Sequence, residues 1–130
     1  MMYVEGSFLK RNYFEAVRLL RLAAQKSHSR AQVKLAELLI AGKGTARLPV
    51  EAVMWYLKAA NQGSVTAMAE LGNCYENGIG CRQDIDTAID WYEKAASLGS
   101  NLGSDRIIAL VANPALLGSL ITHGYAARAA

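Results

Sequence analysis

No stretch of this chain gathers basic residues into a run with aromatics between them: its 14 Lys and Arg alternate with 11 Asp and Glu along 130 residues. The formal charge of +3 therefore does not mark a nucleic-acid surface, although a mildly basic balance favours acidic partners. No apolar run reaches the roughly 18 residues of a membrane span, since the longest candidate, residues 107–121, is broken by Asn113-Pro114 and by Gly118. The opening Met1-Met2-Tyr3-Val4-Glu5-Gly6 has neither a basic n-region nor an apolar h-region, so it does not read as a secretory leader, and a cytoplasmic location is the expectation. Cysteine is scarce: Cys74 and Cys81 are the two in the chain. They read as reduced thiols, Cys74 partly buried as a small hydrophobe, with a bridge across the intervening helix end as the alternative. Zinc is excluded because neither histidine nor a further cysteine lies at ligand spacing.

Apolar residues are plentiful, at 52%, enough for one continuous core. Their arrangement repeats. Trp55-Tyr56-Leu57-Lys58-Ala59-Ala60 returns thirty-six residues later as Trp91-Tyr92-Glu93-Lys94-Ala95-Ala96, and the same interval upstream finds Leu19-Leu20-Arg21-Leu22-Ala23-Ala24. A period in the range of twenty to fifty residues predicts an all-α solenoid of antiparallel helix hairpins. Each unit supplies a helix A with an apolar face (Ala31, Leu35, Leu38, Leu39; then Ala67, Leu71, Cys74, Tyr75) and a helix B with another (Ala52, Trp55, Tyr56, Ala59, Ala60; then Ala88, Ile89, Trp91, Tyr92, Ala95, Ala96). Gly42-Lys43-Gly44 and Gly78-Ile79-Gly80 stop the A helices. Alanine lets helix axes approach, and the Trp-Tyr pairs are expected to fill the gaps between units.

One domain over residues 1–130 follows. Residues 1–26 form a partial first repeat, in which the Met1–Gly6 stretch ends a helix A and Asn12 caps helix B; residues 28–62 and 64–98 form two full repeats. Residues 100–122 form a degenerate C-terminal cap, and residues 123–130 a tail. Terminal units of a solenoid are commonly atypical, because one face has no next unit to cover it.

The pattern Ala67-x-x-x-Leu71-Gly72-x-x-Tyr75-x-x-Gly78-Ile79-Gly80, then Asp84-x-x-x-Ala88-x-x-Trp91-Tyr92-x-Lys94-Ala95-Ala96-x-x-Gly99, resembles the Sel1-like repeat, a branch of the tetratricopeptide-type helical repeats. The resemblance implies a right-handed superhelix whose A helices line a concave face that binds peptides or partner proteins, in members that act as adaptors and scaffolds. One bacterial branch staples helix B to the following helix A with a cysteine pair. Ala60 and Ala67 occupy those positions here, so that branch is not indicated.

No enzyme and no cofactor are expected. Gly42-Lys43-Gly44-Thr45 lacks both the order and the strand-to-helix setting of a phosphate loop, and His28 and His123 have no sequence reason to meet a nucleophile. The residues of helix A not needed for the core instead nominate a partner surface: Arg30, Val33, Lys34, Glu37 and Ile40 in one unit and Thr66, Ala69, Asn73 and Glu76 in the next, with Asp105 and Ala109 continuing it. Arg30 and Lys34 suit acidic side chains, Asn73 a peptide backbone, and Val33, Ile40 and Ala69 apolar contact. The alternative is a structural module, self-associating through residues 107–121 against the edge of residues 1–22, or a fragment of a longer repeat protein.

Overall fold

The computed structural model describes the backbone of residues 2–113 and the side chains of residues 12–113. These residues form six helices and no strand: α1 (Met2–Gln25), α2 (Ser29–Ala41), α3 (Pro49–Asn61), α4 (Val65–Asn77), α5 (Ile85–Ser97) and α6 (Asn101–Val111). The starts of α2, α4 and α6, and those of α3 and α5, are separated by the thirty-six-residue interval of the sequence. Each helix packs on its neighbours in the chain, and α4 also touches α6.

Local chemistry sets the boundaries. Ser64, Asp84 and Ser100 each accept a hydrogen bond from a backbone N–H three residues on, at 3.2, 3.2 and 3.1 Å. His28 and Leu48, at the equivalent caps, make no such side-chain bond; Pro49 opens α3 where its missing N–H is free of cost. Gly42 and Gly78 close α2 and α4 in the left-handed conformation.

One turn position carries a penalty. Gly63 and Gly99 turn from helix B to helix A with φ of 97° and 99°, but the first such turn is made by Ser27 at φ 67°. A residue with a Cβ there costs about 1–2 kcal/mol, partly offset by the freedom glycine would regain on unfolding. Ser27→Gly is accordingly expected to stabilise the chain by about 0.5–1 kcal/mol, seen as a higher urea midpoint at unchanged slope.

α1 departs from expectation. The break near Gly6, with Asn12 as a cap, does not occur; α1 is one continuous helix of 24 residues. The later units interrupt the chain with two glycines, both at positive φ, and here the second of those positions is Phe8. Without it the left-handed turn is unavailable and the helix propagates.

The core runs through all six helices, but the aromatic pair divides its labour differently from expectation. Tyr56 and Tyr92 are each 1% exposed, whereas Trp55 and Trp91 are only half-buried. Tyr92 lies inside its hairpin, against Gly72 of α4, where an added Cβ would overlap its ring. The indoles lie nearer the surface, covered by Lys58 and Lys94 at 4.8 and 5.3 Å from the ring centres. Trp55 Nε1 donates to Glu51 Oε2 at 2.9 Å, and Arg21 of α1 pairs with the same carboxylate. Gln32, 2% exposed, donates to the carbonyl of Ala24 at 3.1 Å and accepts from Gln62 at 2.8 Å, tying α1, α2 and α3 together. Between α5 and α6 the close contact is with main chain: a Cβ on Gly103 would stand 2.7 Å from the Tyr92 carbonyl oxygen.

Both cysteines are free. Cys74 is buried, and the half-buried Cys81 thiol donates towards its carbonyl at 3.5 Å. Burial pushes the Cys74 thiol up to about 12, which leaves it unreactive as a nucleophile at neutral pH.

Candidate functional site

Five of the nine nominated residues meet. Arg30, Val33, Lys34 and Glu37 of α2 and Thr66 of α4, joined by Ser64 at the α4 cap, line an open cavity of about 190 Å³. The shared thirty-six-residue interval places α2 and α4 in equivalent positions, and the cavity lies between α2 and the N-terminal end of α4. Lys34 Nζ stands 3.3 Å from Glu37 Oε2, an exposed pair one helical turn apart. Arg30 makes no ion pair among the described residues and is exposed, as is the Thr66 side chain. Asn73, also exposed, accepts from Asn77 Nδ2 at 2.8 Å and lies further along the same face.

Four of the nominations, Val33 among them, are more buried or more engaged than expected. Ala69 is 3% exposed and Val33 9%, so neither offers a free apolar surface; α2 and α4 are flanked by helices on more than one side, and these positions face a neighbour rather than solvent. Val33 contributes only the floor of the cavity. Ile40 is half-buried against the core. Glu76, its side chain 12% exposed, is already engaged: Tyr92 donates to Oε1 at 2.8 Å, Arg106 Nε donates to Oε1 at 3.2 Å, and Arg106 Nη2 pairs with Oε2. This clasp joins α4, α5 and α6, and the carboxylate raises the Arg106 guanidinium further above its ordinary range. Asp105 and Ala109 are exposed on α6. Of the apolar segment nominated for self-association, Ile108 and Val111 are 66% and 46% exposed, while residues 114–121 lie outside the described residues.

Glu70 escaped the sequence reading. It stands one repeat after Lys34, a signal present in the alignment of the units but masked by the change of charge. Half-buried on α4, it makes no ion pair among the described residues, and its carboxyl is held above the usual range first by burial and then by the charge of Glu37. Because the folded pKa lies above the unfolded one, ionisation favours the unfolded chain; the penalty is full above the folded pKa and absent below 4.5. Glu70→Gln is expected to raise Tm at pH 7, with the gain disappearing by about pH 3.5, as thermal unfolding at the two pH values would show.

No group of three or more His, Cys, Asp or Glu able to hold a metal occurs among the described residues, and no helix among them is long and apolar enough to cross a membrane. Stacked helical hairpins with an open cavity between successive A helices define an α-solenoid repeat protein. The chain belongs to the Sel1 repeat family, whose model, described as Sel1 repeat, matches residues 1–28, 29–64 and 65–100. Proteins of this family are generally protein-interaction scaffolds rather than enzymes.

Solved structures agree. A protective antigen present in uropathogenic Escherichia coli strains, displaying an SLR fold, superposes with a TM-score of 0.72 at 32% identity, over 73% of this chain and 20% of that one. A Sel1 repeat protein from Oxalobacter formigenes gives 0.67 at 34% identity, over 69% and 37% of the two chains. This chain thus spans well under half the length of either. Helicobacter pylori cysteine-rich protein B, at 22% identity and a TM-score of 0.65 over 68% of this chain and 67% of its own, shares the fold.

Proposed function

We propose that this chain is a non-catalytic interaction module that grips a segment of a partner protein on the face formed by α2 and α4. The observation that carries the reading is the convergence of Arg30, Lys34, Glu37 and Thr66 on one open cavity, where exposed polar groups stand over a buried floor. Polar atoms fixed on rigid helices can orient a bound chain at small entropic cost. A second reading, self-association, is supported by the exposed Leu102, Ile108 and Val111 of α6.

A displayed random-peptide library separates the two. The wild-type chain is expected to enrich related sequences, and Arg30→Ala with Lys34→Ala and Thr66→Ala to lose that enrichment at an unchanged helical circular-dichroism signal. Undiminished enrichment by the triple variant would overturn the assignment.

A further inference from the structure

We propose that the cavity between α2 and α4 is a receptor for a single acidic side chain, Asp or Glu, of the bound segment. This rests on the reading of that face as a peptide-binding surface and gives it a chemical preference. The cavity holds two cations and one carboxylate, and the carboxylate is taken: Glu37 pairs with Lys34 at 3.3 Å, which leaves the Arg30 guanidinium with no ion pair among the described residues. A guanidinium offers a planar fork that matches a carboxylate with two parallel hydrogen bonds. Thr66 adds a hydroxyl donor from the opposite helix, and Ser64, whose oxygen accepts from the Ala67 N–H at 3.2 Å, keeps an O–H to donate. The cavity, about 190 Å³ and open to solvent, has room for one side chain.

The same face also limits how much negative charge it accepts. Glu37 lines the cavity about two helical turns along α2 from Arg30, and Glu70, a half-buried carboxylate with no ion pair among the described residues, follows one turn past Thr66 on α4. An acidic run, or a polyanion such as a nucleic acid, laid along these helices would set its next charges against those carboxylates. A lone acidic residue can meet Arg30 at the end of the cavity about two helical turns from Glu37. The preference is therefore for one carboxylate at a fixed place in the bound segment.

The test uses the full chain and three peptide libraries acetylated and amidated at their ends, alike except for a fixed central Glu, Gln or Lys among randomised neighbours. The Glu library is expected to be retained about tenfold better than the Gln library, with the Lys library weakest. Arg30→Gln should abolish the difference between Glu and Gln while the circular dichroism stays unchanged, and Arg30→Glu should turn the preference towards Lys. Equal retention of Glu and Gln by the wild-type chain, or a Glu preference that survives Arg30→Gln, would overturn the acidic preference alone. Retention of none of the libraries would overturn the peptide-binding reading together with it. A Gln library with a free C-terminal carboxylate that outcompetes the amidated Glu library would assign the cavity to chain ends and overturn the side-chain receptor.

Discussion

Tyr92→Ala is expected to cost about 3–5 kcal/mol and to leave much of the chain unfolded at ambient temperature. The ring is 1% exposed and lies against Gly72, so the surface it abandons has no side chain that could collapse into the space. Its hydroxyl also donates to Glu76, so the truncation strips one partner from a carboxylate whose remaining bonds come from Arg106. Small domains are stable by only about 5–15 kcal/mol, and a stack of few units loses the contacts of two neighbours when one hairpin fails. Urea denaturation followed by circular dichroism and by the fluorescence of the adjoining Trp91 would measure the loss. Tyr92→Phe keeps the ring and removes only the hydrogen bond, so about 1 kcal/mol is expected there; the difference between the two variants isolates the packing.

Gly80→Ala is expected to destabilise by about 2–4 kcal/mol, through two effects that add. The residue sits at φ 69°, where a Cβ is disfavoured, and that Cβ would overlap the backbone carbonyl of Pro49 at the start of α3. No rotamer relieves a clash with main chain, so either the loop or the end of α3 must move. Gly44 stands in the same relation to the Tyr13 carbonyl, which makes this contact a repeated joint between units. Gly63→Ala serves as the control: its φ is 97° but nothing lies within 4 Å of the added atom, so only the backbone term of about 1–2 kcal/mol is expected. Similar losses for the two variants in thermal unfolding would show that the close approach to Pro49 carries no energy.

The spacing of alanines, glycines and aromatics made the hairpins legible because local periodicity and turn chemistry act along the chain. Which aromatic of each pair goes inside was not legible, since Trp and Tyr are adjacent and both apolar; for the second pair the deciding residue is Gly72, 20 positions before Tyr92 on the facing helix. The same limit explains Val33 and Ala69. A periodicity argument supplies one buried stripe per helix, whereas α2 and α4 have neighbours on several sides and bury Gln32, Val33, Ala36, Met68 and Ala69 as well. Glu76 looked like a surface carboxylate because its partner Arg106 lies in the unit that departs most from the pattern. Arg30, Lys34, Glu37 and Thr66 were recoverable since they occupy the helix positions left over once the core stripe was drawn.

A chain made of similar units faces the hazard that a helix pairs with the wrong copy of its partner, one unit out of register, in its own molecule or in another. Alanines, tyrosines and glycines cannot prevent this, because they recur at the same places. The buried Gln32 can. Its partner Gln62 has no duplicate: one repeat further on, the two positions hold Met68 and Leu98. A shifted pairing would set the buried Gln32 carboxamide against the isobutyl group of Leu98 and leave its oxygen without the Gln62 donor, a penalty of about 1–3 kcal/mol. That single amide pair acts as an address label, distinguishing the first hairpin from the second in a sequence that otherwise invites their confusion.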